Sequence, residues 1–337
     1  MRRSPLIPFA PLSPRTQVCL GWGSFLLPLL VWCAFSYVPF LWHPMVRIQD
    51  PGDISYLQSG QLIDRQTLAR ENARIEAAGG IPASGPRANP VFLPAPHRVA
   101  TALVRAFTTP PRRANEPWFH ESIAHSIRII FTGFVWSSVI GLPIGILCGV
   151  YGSISKLTEP VVDFIRYMPA PAFGALAVAI LGIHDAPKVA IIFIGTFFQQ
   201  ILVVANTTRK MDPALLEAAQ TLGAKPKHLL FRVVLPGIAP DLYNDMRILL
   251  GWAWTYLVVA EYIGASSGIT YFINQQARYR NYDNVFAAIL IIGIIGFTTD
   301  RLLDDLRRAV FPWKTDGKKP FLFRFLLRNP PPLAQPA

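Results

Sequence analysis

Charged residues are scarce in this sequence. Only 15% of its 337 residues are Asp, Glu, Lys or Arg, while 52% are hydrophobic and the mean hydropathy is +0.34. Soluble domains carry about 25% charged residues, so this composition excludes an ordinary soluble enzyme. The three cysteines, Cys19, Cys33 and Cys148, form no CxxC pair, which excludes a disulfide-rich secreted module and a cysteine zinc site.

Motifs for nucleotide binding and catalysis are absent as well. No G-x-x-x-x-G-K-[ST] loop occurs, so the chain is not expected to hydrolyse ATP by itself. His120, Glu121 and His125 resemble a zinc-protease motif, but the histidines would lie about 140° apart on a helix. No Ser-His-Asp arrangement is apparent. We therefore expect no catalytic residue, no metal site and no cofactor in this chain.

The net charge of +12 falls in blocks between long apolar stretches. A nucleic-acid-binding protein would carry such charge on a soluble face, so no nucleic-acid partner is expected. The pattern instead predicts an all-α, polytopic membrane protein with about six transmembrane helices, of which the third and fourth are interrupted or short. The predicted spans are residues 18–42, 127–150, 161–183, 188–205, 248–263 and 285–297.

A polar insertion at 43–125 follows the first span and is expected outside the membrane on the far side. It contains two predicted helices, 61–78 and 95–107, and it is either a docking surface for another protein or a cap over the outer face. The stretch at 18–42 is too long and bulky for a signal peptide and lacks a cleavage site. It is therefore interpreted as a retained span after a cytoplasmic tail at 1–17.

The remaining chain is predicted to be a core at 126–312, with five spans and a loop at 206–241, followed by a basic tail at 313–337. Lys and Arg are concentrated in the loop and the tail. The positive-inside rule places both of these segments, and both termini, in the cytoplasm.

The loop contains the most informative segment, residues 211–236, which read MDPALLEAAQTLGAKPKHLLFRVVLP. Asp212 is a good N-cap, Pro213 suits the first helical position and Gly223 suits the exit from a helix. The segment therefore predicts a short cytoplasmic helix at 213–222. A second, basic helical turn is predicted at 225–234, before Pro236.

The spacing in this segment resembles the EAA signature of the permease subunits of ABC importers. The matching residues are Glu217, Ala218, Ala219, Gly223, Val233, Leu235 and Pro236, with Val233 where the family has Ile. Segments 91–96, 141–145, 164–171 and 258–268 resemble the nitrate, sulfonate and taurine subgroup of that family. The resemblance covers about 91–313 and leaves out most of the insertion and the tail.

This resemblance implies a type I importer permease fold in a bacterial inner membrane. The chain would form the translocation pathway for a small solute such as nitrate, a sulfonate or taurine. Its short helix would be the coupling helix that docks on a separate ATPase, and that ATPase would use ATP and Mg²⁺. The implied partners are a second permease copy, two ATPase subunits, an extracytoplasmic solute-binding protein and membrane lipid.

Polar side chains at membrane depth are costly, and they are therefore the candidates for the translocation pathway. The candidates are Arg166, Gln199, Gln200 and Glu261. A structural role is the alternative for each, with Arg166 paired to Asp163 and the glutamines bonded across helices. The alternative function is a self-sufficient secondary transporter or channel, which would need ion-coupling carboxylates in the membrane or an inverted repeat. Neither is apparent.

Overall fold

The computed structural model describes residues 13–38, 41–111, 113, 116–263 and 267–314. These residues form two compact units. The first contains the described residues up to Thr109 together with Gln276–Ala287, and the second contains Pro110–Gln275 and the described residues from Ala288 onward. Most of both predicted tails, 1–17 and 313–337, lies outside the described residues.

The first unit contains a three-stranded antiparallel sheet that the sequence does not predict. β1 (Met45–Arg47) lies between β2 (Leu62–Asp64) and β3 (Arg87–Ala88), and Val46 pairs with Ile63 and Arg87. Strands of two or three residues carry too few alternating positions to be recognised by their periodicity. This small sheet is an addition to the predicted all-α architecture.

Helix α2 (Arg65–Ala77) packs against this sheet. It begins later than the predicted 61–78, because the preceding residues pair in β2 and the Asp64 side chain caps the helix, accepting from the N–H of Gln66 at 2.9 Å. It ends before Gly79, whose φ of +76° favours glycine. The core beneath is formed by Val46, Ile48, Ile54, Leu57, Leu68 and Ala83.

Four helical segments complete the first unit: α1 (Pro14–Tyr37), α3 (Pro96–Thr108), the last residues of α11 (Ile269–Arg278) and the first residues of α12 (Tyr282–Val310). The Trp32 indole of α1 donates to the Pro94 carbonyl at 3.0 Å and stacks on Phe286 with 5.7 Å between the ring centroids. α3 agrees with the predicted helix at 95–107. α1 begins and ends about one turn earlier than the predicted span at 18–42.

The second unit is helical and contains α4 (Phe119–Val150), α5 (Gly152–Arg166), α6 (Gly174–Leu181), α7 (Asp185–Arg209), α8 (Pro213–Thr221), α9 (Pro226–His228), α10 (Leu235–Ile263), and most of α11 (Ile269–Arg278) and α12. α4 packs along α7, and α10 packs on α7 as well. Glycines on α4 allow the close approach: a Cβ at Gly145 would lie 2.7 Å from the Cβ of Val204.

The third and fourth predicted spans differ from each other in the structure. The third, 161–183, is interrupted as predicted, because α5 and α6 meet at 84° across the segment that contains Pro169 and Pro171. Proline has no backbone N–H and cannot continue the α5 hydrogen-bond ladder. The fourth was predicted to be interrupted or short, and this was wrong: α7 runs without a break for 25 residues.

By length and apolar composition, α1, α4, α7 and α12 can each cross a membrane, and α5 with α6 would add a fifth span if the bent pair crosses as one. The predicted span at 248–263 lies in α10, which does not meet the same criterion. Arg247 and Glu261 interrupt its apolar stretch. The described residues therefore contain four or five spans by this measure, against about six predicted.

Helix α12 continues beyond the predicted end of the last span at 297. Arg247 of α10 forms an ion pair with Asp300 at 2.9 Å and another with Asp304 of the same helix. Arg307 and Arg308 bind the Asp304 carboxylate from one turn further along. This ion-pair network, centred on the buried Asp304, links α12 to α10.

We expect Gly145→Ala to lower the midpoint of thermal unfolding in detergent. The added Cβ has no room beside Val204 and the Ile201 carbonyl, and overpacking of this kind costs about 1–3 kcal/mol. The matched control is Gly251→Ala on α10, where a Cβ meets nothing within 4 Å. Equal midpoints for the two variants would contradict a close α4–α7 contact.

Candidate functional site

The short helix predicted in the loop is present as α8. The Asp212 side chain accepts from the Ala214 N–H at 2.9 Å, and Pro213 occupies the first turn, where its missing N–H costs nothing. At the other end the Ala224 N–H bonds the Ala219 carbonyl at 3.0 Å, with Gly223 at a φ of +77°. The predicted bounds, 213–222, are confirmed to within one residue.

The surface of α8 is open on nearly every side. The helix contains no buried side chain, and Leu222 at its exit is 88% exposed. Leu215 on the helix and Phe231 after it are also exposed, although both are large and apolar. Exposed apolar side chains held on a capped helix are typical of a surface that another protein covers.

The EAA residues occupy different environments on this segment. Glu217 is exposed and forms no hydrogen bond or ion pair with any described residue, and Ala218 is exposed beside it. Ala219 is half-buried and provides the carbonyl that closes the C-terminal turn of the helix. Gly223 has no heavy atom within 4 Å of its Cβ position, so its conformation, not crowding, requires glycine there.

After the exit turn at Gly223, the return from α8 is helical from Pro226 onward. After α9, residues Leu229–Val234 form a π-helical turn that runs directly into α10 at Leu235. The predicted basic helical turn at 225–234 is therefore confirmed, and it continues into α10, whose first turn contains Pro236. The missing N–H of Pro236 and its ring displace the preceding carbonyls, which explains the wider turn. Val233 is half-buried within that turn.

Two pathway candidates lie together. Arg166 of α5 and Gln199 of α7 both line a polar cavity of about 420 Å³, whose other polar walls include Glu159, Asp163 and Asn206. The Arg166 Nε donates to Asp163 Oδ1 at 2.6 Å, so the pairing considered as a structural alternative does occur. The Arg166 Nη2 also donates to the Tyr167 hydroxyl at 3.1 Å.

Gln200 is in a different environment from its neighbour in sequence. It is fully buried, and its Nε2 donates to Ser138 Oγ of α4 at 3.0 Å. Its Oε1 has no hydrogen-bond partner among the described residues and lies near the bare backbone of Gly141. This bond across helices favours a structural role for Gln200, while its contribution to a pathway stays a prediction.

Glu261 is fully buried near the end of α10. Its carboxylate accepts from Ser126 Oγ of α4 at 2.5 Å and from the Thr270 N–H of α11 at 2.8 Å. The same Ser126 Oγ accepts from the Ile269 N–H at 2.8 Å. Gly268, with a φ of +105°, gives the carboxylate its space, since a Cβ there would lie 2.0 Å from Glu261 Oε1. The site therefore joins three helices.

A cluster that the sequence analysis missed adjoins this carboxylate. Lys188 of α7 is fully buried, and its Nζ donates to Ser267 Oγ at 2.9 Å and to Asp185 Oδ1 at 3.3 Å. His125 Nε2 lies 3.0 Å from the same Ser267 Oγ and 3.1 Å from Asp185. A lysine three residues after an aspartate, at the start of an apolar run, was the available signal.

Comparison with known proteins places residues 141–311 in the family described as "Binding-protein-dependent transport system inner membrane component". A probable ABC transporter permease protein of Brucella abortus (strain 2308) is 35% identical over 56% of this chain and 76% of its own length. The taurine transport system permease protein TauC of Escherichia coli (strain K12) is 28% identical over 67% of this chain and 81% of its own.

Among solved structures, a chain of an inward-facing MetNI methionine ABC transporter matches 57% of this chain and 96% of its own length. The TM-score is 0.52 and the sequence identity is 21%. At that identity the likeness concerns the fold alone.

We expect Gly268→Ala to lower the thermal unfolding midpoint more than Gly223→Ala does. Both positions have positive φ, which costs a residue with a Cβ about 1–2 kcal/mol. Only at Gly268 would the Cβ also displace the Glu261 carboxylate and leave the Thr270 N–H unpaired, adding about 1–3 kcal/mol. Glu261→Ala should relieve part of that difference in a double variant, and strict additivity would contradict the contact.

Proposed function

This chain belongs to the family of binding-protein-dependent transport system inner membrane components, and we propose that α8 couples it to a separate ATPase. Membership makes the chain the membrane-spanning permease subunit of an ABC importer, and it makes the chain a transporter subunit rather than an enzyme. The family predicted from the EAA segment is thereby confirmed, as is the all-α permease fold.

The single observation that supports coupling through α8 is its combination of rigidity and exposure. Both ends are capped, yet Glu217, Leu215 and Leu222 have no partner surface within the described residues. We infer that the helix seats in a groove of the ATPase, with Glu217 facing a basic residue there. The small side chains of Ala218 and Ala219 allow a close approach.

The path from α8 into the membrane is short. Residues 210–212 connect it to α7, and the turn that starts at Gly223 leads through Val233 to Leu235 and Pro236 at the start of α10. Movement of α8 when the ATPase closes on ATP is therefore passed to two core helices. ATP and Mg²⁺ bind to that separate subunit, and the permease contributes a rigid-body change from inward-facing to outward-facing.

We further propose the assembly that such a subunit serves. One chain supplies one half of a pathway, so two copies would associate with two ATPase subunits and with an extracytoplasmic solute-binding protein. The chain is a multi-pass inner-membrane protein. The concentration of Lys and Arg in the loop supports a cytoplasmic location for α8 and both termini, with the first unit's sheet outside.

The solute class proposed is a small anion such as a sulfonate, taurine or nitrate. The taurine permease relative supports this class, and Arg166 and Gln199 are the cavity groups that would bind an oxyanion, in competition with Asp163 for the guanidinium. Glu261 is bonded between helices and would support the outer end of that pathway, not contact solute.

We expect Glu217→Lys and Gly223→Asp to abolish solute uptake while the permease remains inserted in the membrane. The first reverses the charge that would face the ATPase, and the second places a negatively charged side chain on the open, positive-φ turn that ends α8. Uptake into cells, co-purification of the ATPase and its ATP hydrolysis rate are the measurements.

The matched control is Glu76→Lys, the same charge reversal on an exposed residue of α2. It should leave uptake and ATPase binding unchanged. Normal uptake by both loop variants would contradict coupling through α8. Transport by the purified chain alone in liposomes would instead favour a self-sufficient carrier.

We expect Arg166→Gln to weaken uptake of an anionic solute about tenfold, as loss of one charged hydrogen bond predicts. Asp163→Asn breaks the same ion pair but keeps the positive charge, so it should preserve uptake. Equal losses in the two variants would show that the pair is structural. Co-purification of the ATPase with each variant serves as the control for assembly.

A further inference from the structure

A second cavity of about 420 Å³ lies entirely within the first unit. Its walls come from the last turn of α1, from β1 and β3, from the proline-rich segment before α3, and from the first turns of α3 and α12. Small-molecule sites have about this volume. The segment that forms it, apart from the start of α12, lies mostly outside residues 141–311, where the family matches.

The lining of this cavity carries excess positive charge. Four arginines face it against one carboxylate, Asp283, which is engaged by Arg98 at 2.7 Å. Arg47, Arg87 and Arg280 form no side-chain hydrogen bond or ion pair with any described residue. Three guanidinium groups around one cavity repel each other unless an anion lies between them.

Buried polar atoms in the same walls lack partners. Ser36 is only 4% exposed, and its Oγ has no hydrogen-bond partner among the described residues. His43 Nδ1 and Asn89 Oδ1 are likewise buried without a partner. Buried polar atoms are nearly always hydrogen-bonded, so three of them in one cavity wall indicate a polar occupant. Ser36 and His43 can both donate to an anion.

The backbone adds to the positive potential. α3 and α12 both begin at the cavity wall, and the N-terminal end of a helix carries about half a positive charge. Arg280, two residues before α12, has a φ of +56°, a conformation that residues with a Cβ adopt at a cost. Such strain persists where the surrounding structure fixes it, and it is common at ligand sites.

We propose that this cavity is an oxyanion-binding site outside the membrane, held by Arg47, Arg87 and Arg280 with Ser36 and His43 as further donors. Its ligand is a small sulfonate, sulfate, phosphate or carboxylate group. Guanidinium groups bind these oxyanions by paired N–H bonds, which an ammonium group cannot reproduce. The oxyanion belongs either to a free solute or to a lipid headgroup, because Ser36 lies in the last turn of the membrane-length α1.

The test uses the full chain in nanodiscs of phosphatidylcholine, titrated with inorganic sulfate by isothermal calorimetry. We expect saturable binding whose Kd rises about tenfold in Arg280→Gln and in Arg87→Gln, as loss of one charge-assisted bond predicts. Arg70→Gln is the matched control, since Arg70 is exposed on α2 and does not line the cavity. Its Kd should equal that of the unmodified chain.

Sulfate binding is measured on the purified chain without an ATPase, so failure of the coupling proposal and failure of this one are distinguishable. Absence of saturable sulfate binding, or equal weakening by Arg70→Gln, would overturn the site. Thermal unfolding midpoints without sulfate identify variants that have lost the fold. If a Gln variant has lost the fold, the less disruptive Lys variant at position 87 or 280 is tested in its place. A sulfate Kd that is unchanged in the Lys variants would overturn bidentate binding.

Nanodiscs that contain phosphatidylglycerol distinguish the two sources of the anion. If the natural ligand is a lipid headgroup, the anionic lipid should compete, raising the sulfate Kd of the unmodified chain. The same lipid should have little further effect on Arg280→Gln. If the ligand is a free solute, the sulfate Kd should be the same in both lipids. Either result supports an oxyanion site, provided that the arginine variants weaken it.

Discussion

The close approach of α4 and α7 is the constraint on which the second unit depends. Lipid tails are as apolar as the helix faces, so burial of apolar surface does little to hold two helices together in a membrane. Association rests instead on dense contact and on hydrogen bonds across the interface. The glycines of α4 provide the contact, and Thr196 Oγ1, which lies 2.8 Å from Ser137 Oγ, and Gln200, bonded to Ser138, provide the bonds.

The α4–α7 interface positions both α8 and the Glu261 site. α8 is joined to α7 by residues 210–212 and to α10 by residues 222–234, most of which are helical. At the far end of α10, Glu261 binds α4 and the start of α11. A displacement of α8 would therefore move helices that are bonded to each other, as the proposed rigid-body mechanism requires.

Features that depend on local chemistry could be predicted from the sequence, and features that depend on contacts between remote segments could not. α8 was located to within one residue because its start and stop depend on local chemistry, the Asp212 cap and the Gly223 exit. The separate environments of Gln199 and Gln200 could not be predicted, since they depend on which face of α7 meets α4. Lys188 was missed for the same reason: its partner Ser267 is remote in sequence. The sheet in the first unit depends on pairing between strands too short to leave a periodic signal.

The exposed apolar side chains around α8 have a consequence for the life of the subunit in the cell. If α8 docks on the ATPase as proposed, a permease inserted without that subunit would present Leu215, Leu222 and Phe231 to proteases and chaperones, which act on exposed loops and apolar patches. Assembly would hide that surface and protect the chain. The amount of importer would then be set by its scarcer subunit, because unassembled permease would be removed from the membrane.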